Sequence, residues 1–245
     1  MSSRSAALKN PGLVVSCEHG GNGVPRPYAA LFAGHEATLA THRGWDPGAL
    51  PLARQVASAL DAPLYASTTT RLLVDLNRSL GHRQLFSEFT RGLAPAERQQ
   101  IIDRHYRPHR DTVEGEIARR VASLEPVVHI ASHSFTPVLG GVVRRADVAW
   151  LYDPRRAGEV SLSTRWMAAF AQRAPGLQLR RNDPYRGRGD GLTSLLRKRY
   201  ADAAYVGIEL EVNQRFVAQG GAAWTALRLA LVESLASALG RDTRH

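Results

Sequence analysis

Two histidines in matching contexts carry the first chemical signal in this chain. His19 follows the run Leu13-Val14-Val15-Ser16-Cys17-Glu18 and precedes Gly20-Gly21-Asn22, and His133 follows Val127-Val128-His129-Ile130-Ala131-Ser132. A β-branched apolar run that ends in polar residues is how a buried strand delivers side chains to the edge of a sheet. Imidazole is the commonest metal ligand, and a catalytic zinc site takes about three ligands from His, Asp, Glu or Cys while keeping a position for water. A lone strand-end histidine is more readily a structural residue, but two in the same context favour ligation. For the third ligand Asp46 is the choice, with His42 and Glu18 as alternatives. Because Pro47 follows it, Asp46 also reads as a helix cap.

A third strand-like run, Tyr205–Asn213, alternates apolar residues with Glu209 and Glu211. Residues two apart on a strand share a face, and two acids on one face are costly to bury without partners. Glu211 is read as a general base for a metal-activated water and Glu209 as a support, against the plainer reading of a solvated edge strand. Asn77-Arg78 follows the apolar run Leu72-Leu73-Val74 and is expected at another strand end. An amide beside a planar guanidinium suits bidentate recognition of a carboxylate.

Elements that would position these groups follow from periodicity. Strands are expected at 13–17, 64–66, 127–135, 148–152, 177–179 and 205–213. Helices are expected after Asp46, over 94–124 with a kink or break at Pro108, and over 157–173, 192–200 and 222–239. Strand–helix alternation predicts one α/β domain over residues 1–245, with a mixed, mostly parallel sheet flanked by helices and ligands bound at the strands' carboxyl ends. The run from Asn182 to Gly191 is rich in Gly, Pro, Asn and Asp, as binding loops are.

Composition narrows the function classes. With 245 residues, 44% of them hydrophobic, the chain can bury one substantial core. The single cysteine, Cys17, excludes an internal disulfide, fits a reducing cytosol and reads as a small buried strand residue. The net charge of +10 comes from scattered arginines without aromatic interleaving, so solvated basic faces are expected rather than a nucleic-acid surface. No apolar run is expected to cross a membrane, and Met1–Lys9 lacks the apolar core of a secretory signal. The expectation is a cytoplasmic protein with a small-molecule substrate and neither nucleic-acid nor membrane partner.

Five segments, in order, carry a family resemblance: Cys17-Glu-His-Gly-Gly-Asn-Gly-Val-Pro25, His42-Arg-Gly-Trp-Asp-Pro-Gly-Ala49, Arg71-Leu-Leu-Val-Asp-Leu-Asn-Arg78, His133-Ser-Phe-Thr-Pro137 and Asn182-Asp-Pro-Tyr185. Together they resemble the N-formylglutamate amidohydrolase family, which is related to zinc carboxypeptidases and aspartoacylases. The resemblance implies a zinc-peptidase-like fold, a Zn²⁺ cofactor and hydrolysis of an N-acyl amino acid, foremost N-formyl-L-glutamate. By similarity to the Asp-Leu-Asn-Arg segment of aspartoacylases, Asn77 and Arg78 would hold the substrate carboxylate and Arg71 would polarise the scissile carbonyl. Tyr185 would join them in substrate binding, and Glu211 with Gln214 resembles the superfamily's catalytic glutamate segment. Two departures leave the ligand set open: Asn22 stands where the superfamily's His-x-x-Glu has its acid, and Asp46 stands where the deformylase branch has a histidine after tryptophan. The alternatives are another zinc deacylase or carboxypeptidase-like hydrolase, or a non-catalytic basic binding protein.

Overall fold

The computed structural model describes residues 11–243, so the N-terminal stretch read for a targeting signal lies outside the described residues. Its strands are β1 (Gly12–Cys17), β2 (Leu64–Ala66), β3 (Val127–Phe135), β4 (Val138–Leu139), β5 (Val142–Val143), β6 (Val148–Leu151), β7 (Leu179–Arg181) and β8 (Tyr205–Asn213). Its helices are α1 (Glu36–Leu39), α2 (Ala49–Ala59), α3 (Pro95–Ile101), α4 (Arg107–Ala122), α5 (Ala157–Arg173), α6 (Leu192–Arg199), α7 (Gln214–Gln219) and α8 (Gly221–Leu239). Six strands form one sheet in the order β2-β1-β3-β8-β6-β7, while β4 and β5 make a small separate hairpin. All neighbours in the large sheet are parallel except β6 and β8. This is a mixed, mostly parallel α/β sheet.

Both sheet faces are covered, which is why its strands read as continuous apolar runs. Along β1, Leu13, Val15 and Cys17 face a core shared with α2, α5 and α8, whereas Val14 faces one shared with α4 and α6. A third apolar cluster gathers Phe32, Leu72, Leu73, Val74, Leu76, Ile101 and Tyr106 beneath the long β2–α3 connection.

The break expected in the 94–124 helix is present, and three other expectations change. The helix over 94–124 is interrupted just before Pro108 by a π-helical turn at Ile102–Tyr106. Proline has no N–H and its ring crowds the carbonyl four residues earlier, so the irregularity falls N-terminal to it. Residues 71–78 form no strand but a turn-rich, largely buried loop. Its carbonyls are satisfied from a distance, Leu72 O by Ser87, Leu73 O by Thr90 and Leu76 O by Arg110, so no neighbouring strand is needed. Helix α2 starts later than Asp46-Pro47 suggests, after Gly48 at φ 85°. Finally, α8 is long and apolar enough to span a membrane, with a mean hydropathy of 1.3. Its Leu227, Leu231 and Leu235 are buried in the core, and Arg228 and Glu233 interrupt its sequence.

Candidate metal centre and substrate cleft

The carboxyl end of β1 and the C-terminal part of β3 lie side by side, bringing His19 and His133 to ring centroids 5.2 Å apart. Asp46 joins them from the turn before α2, where its backbone N–H donates to His19 O at 2.9 Å. Because the helix begins after Gly48, the Asp46 side chain caps nothing and points inward. Its Oδ2 lies 2.9 Å from His133 Nδ1 and 3.3 Å from His19 Nδ1. One donor atom from each of His19, Asp46 and His133 lies within 4.8 Å of the other two, and all three residues are buried. These three could hold a metal ion.

The opposite ring nitrogens are also held by acids. His19 Nε2 donates to Asp75 Oδ1 at 2.7 Å, and His133 Nε2 lies 3.2 Å from Glu18 Oε2. An ionised carboxylate only accepts, so with a metal on Nδ1 in place of a proton the Asp75 bond would keep the His19 ring proton on Nε2. A carboxylate behind each imidazole is the usual arrangement around metal-bound histidines. Glu18 also lies 3.6 Å from His109 Nε2, which reaches in from α4.

Charge supports the same fit. Glu18, Asp46 and Asp75 are three buried carboxylates around two imidazoles, and Arg71 is the permanent cation bonded to two of them, Asp46 at 3.3 Å and Asp75 at 2.7 Å. Burial alone would raise the Glu18 carboxyl, but the imidazoles of His109 and His133 hold it well below the ordinary range. Burial alone would lower the His133 imidazole, but Asp46 and Glu18 push it well above its ordinary value. A proton on His133 therefore balances charge that a divalent cation would balance instead, and a donor set of two imidazole nitrogens and a carboxylate oxygen suits zinc.

A cleft of about 460 Å³ opens onto this group, lined by His19, Arg71, Asn77, Arg78, His133, Tyr185, Glu209 and Glu211 among others. Glu211 stands opposite His133 in the β3–β8 register. It is 5% exposed, and its Oε2 is buried without a hydrogen-bond partner. Burial, with the charges of Asp46 and Glu209 acting in the same direction, pushes its carboxyl up to about 8. Glu209 has a different post, accepting from the Thr193 hydroxyl at 2.7 Å.

Arg78 NH1 donates to the carbonyls of Asn77 and Asp190 at 3.1 and 3.0 Å, whereas its Nε is buried and unpartnered. Asn77 Oδ1 accepts from Leu192 N–H at 2.8 Å, which ties this loop to the start of α6. Tyr185 sits at the rim, 43% exposed, with its hydroxyl 3.0 Å from Arg144 NH1.

The structure thus gathers every residue singled out for the site around one cleft, but not every alternative. His42 is half-exposed and not among the three, and Glu18 lies behind His133 rather than beside Asp46. Asp75 and His109 carry parts that the sequence reading did not assign. An acid ending an apolar run four residues after Arg71 was a usable signal for Asp75. A histidine in a highly charged helix offered none for His109.

Comparison with known proteins agrees with this geometry. The family model for N-formylglutamate amidohydrolase matches residues 12–218. Among solved structures, the gene product Atu2144 from Agrobacterium tumefaciens is 28% identical, with 98% of this chain and 97% of that one covered and a TM-score of 0.80. The N-formylglutamate amidohydrolase from Ralstonia eutropha JMP134 is 18% identical, with 95% and 94% covered and a TM-score of 0.68, and shares the fold. No curated protein sequence matches the chain. With most of its length, from β1 into α7, matched by one family of amide-hydrolysing enzymes, this chain belongs to the N-formylglutamate amidohydrolase family.

Proposed function

We propose that the protein is a zinc-dependent amidohydrolase of N-acyl amino acids whose substrate is N-formyl-L-glutamate, cleaved to formate and glutamate. One observation carries this reading: the donors of His19, Asp46 and His133 lie within 4.8 Å of one another, and the two histidines line a cleft with Glu211, whose Oε2 is unpartnered. His19, Asp46 and His133 would hold the ion. When bound, zinc supplies a Lewis acid that polarises a carbonyl and lowers the pKa of water to about 7.

The chain's own residues do the rest. Glu211 accepts a proton from the attacking water at Oε2 and returns it to the amide nitrogen that leaves. Its buried setting raises its basicity towards neutral, which suits a group that must both take and give a proton. A cation in the neighbouring group would draw that value back down. Arg71, oriented by Asp46 and Asp75, faces the acyl oxygen and offsets its developing charge. Arg78 offers Nε to the substrate's α-carboxylate while Asn77 and the Asp190 carbonyl hold the arginine in place. Tyr185 closes the rim over the bound molecule.

Zinc content by elemental analysis, together with formate release from N-formyl-L-glutamate, tests the reading. The expected result is about one zinc per chain and turnover that stops on chelation and returns with zinc. Undiminished turnover by metal-free protein would overturn it.

A further inference from the structure

The carboxylate behind His133 is itself held from a second side, by a residue that lines no part of the cleft. Glu18, just past β1, is fully buried. Its Oε2 lies 3.2 Å from His133 Nε2, and its Oε1 lies 3.6 Å from His109 Nε2 on α4. Neither Glu18 oxygen nor His109 Nε2, all of them buried, has a hydrogen-bond partner elsewhere. Among the described residues, Glu18 forms its ion pairs with these two imidazoles, whereas Asp46 and Asp75 share Arg71.

His109 reaches Glu18 because of the irregular turn that precedes it. A straight helix continued from buried Ile101 would turn Arg104, His105 and Pro108 inward, three, four and seven residues on. Instead Arg107 N–H donates to Ile102 O, five residues back, and the extra residue moves the inner face along. Tyr106, Arg110, Val113 and Ile117 become the buried stripe. His109 turns in beside Arg110, with its side chain only 7% exposed. The same stretch is anchored to the loop that carries Asp75 and Asn77. Arg110 NH1 donates to Leu76 O at 3.1 Å, and the Tyr106 hydroxyl donates to Arg78 O at 2.7 Å.

We propose that His109 is a positioning residue for the metal centre: its Nε2–H holds Glu18, and Glu18 in turn holds the His133 ring so that Nδ1 faces the ion. This rests on the metal-dependent reading above. A carboxylate with one partner can swing about its own axis, but partners on both oxygens fix its plane. Without the His109 donor, Oε1 is left buried and bare, a cost that favours turning the side chain away from His133. Because His109 does not line the cleft, its effect on the ion is expected to pass through Glu18. The plainer role is a histidine that fills space between α4 and β1. A space-filler would change the stability of the metal-free protein and leave zinc affinity alone.

The test measures zinc affinity by competition with a chelator, with urea unfolding of each metal-free protein alongside. The proteins are wild type, His109→Leu, His109→Gln, Glu18→Gln and the double variant Glu18→Gln/His109→Leu. His109→Leu should bind zinc about tenfold more weakly, the lower end of what outer partners of metal ligands contribute. His109→Gln, which keeps an N–H donor near the place of Nε2, should retain most of the affinity. In the Glu18→Gln background the leucine substitution should cost almost nothing more, because the residue it acts through is already changed. Wild-type affinity in His109→Leu, an equal loss in His109→Gln, or an undiminished loss on top of Glu18→Gln would overturn the inference. If His109→Leu does not fold, His109→Asn takes its place with the same expected loss, since its shorter amide falls short of Glu18. Wild-type affinity in that variant would again overturn the inference. Zinc binding too weak to measure in wild type would remove the metal-dependent function and this inference with it. Tight binding that ignores His109 would remove this inference alone.

Discussion

Glu18 and Asp46 grip the His133 imidazole from opposite sides, 3.2 Å from Nε2 and 2.9 Å from Nδ1. One acid can therefore share a metal ion with the ring while the other holds the ring's remaining proton. His19 repeats the pattern with Asp46 on Nδ1 and Asp75 on Nε2. Such backing carboxylates fix the tautomer and typically contribute about 10–100-fold in metal affinity. Glu18→Gln and Asp75→Asn should each weaken zinc binding by that order, measured by competition with a chelator. Wild-type affinity in both variants would show that neither acid supports a ligand.

Glu211 and Glu209 share a face of β8, but Glu209 is held by the Thr193 hydroxyl while Glu211 keeps Oε2 buried without a hydrogen-bond partner. Glu211→Gln should lower kcat by about 10²–10⁴-fold while zinc stays bound, the usual size of a general acid–base contribution. Glu209→Gln should cost far less turnover and act mainly through Thr193 and the start of α6. Steady-state kinetics paired with metal analysis separates the two, and a reversed order would exchange their roles.

For Arg78, the atom that matters is Nε, because NH1 is already committed to two carbonyls. Lysine keeps the charge but loses the fork and the tie to Asp190. Arg78→Lys should lose at least about tenfold in kcat/KM on an acidic N-acyl amino acid, and much less on the corresponding α-amide. Equal losses on both would assign Arg78 to holding the loop rather than reading the carboxylate.

His129 predicts an acid limb of stability. It is buried on β3 between the Ser16 hydroxyl at 2.8 Å and the Tyr205 hydroxyl at 2.9 Å. Burial pushes its imidazole down to about 4 from an ordinary 6.5. Between those values the unfolded chain binds more protons, so stability rises with pH and is lost on acidification through that window. This one group accounts for about 3 kcal/mol of the loss. Urea unfolding at several pH values should show a shallower acid dependence in His129→Gln than in wild type. Parallel curves would mean that the ring gains its proton at no cost to folding.

How much of this was legible in the sequence depended on whether the cause was local. Helix α5 and strands β1, β2 and β3 follow from periodicity in their own residues, and His19 and His133 announced themselves by ending such runs. The 71–78 loop did not, because a loop buried on all sides has the composition of a strand. What makes it a loop is the set of donors that reach it from Ser87, Thr90 and Arg110. Asp46 was ambiguous for a related reason. Asp-Pro is a sound helix start by itself, and only Gly48 at φ 85° frees the carboxylate to turn inward. His109 was invisible, since its pairing with Glu18 joins a surface-patterned helix to the end of a buried strand.

The position of β8 has a consequence for how the protein is made. Among the described residues it is the last strand, and yet it lies inside the sheet, between β3 and β6. A polypeptide emerging from the ribosome builds the β2-β1-β3 and β6-β7 halves before the strand that joins them exists. Until Tyr205–Asn213 arrives, nine buried residues of β3 have no partner on that side. An open, apolar strand edge is a template for pairing with other chains. Translation arrest or truncation before Tyr205 therefore yields a product that carries His19, Asp46 and His133, lacks Glu211, and is lost to aggregation before it can be an enzyme.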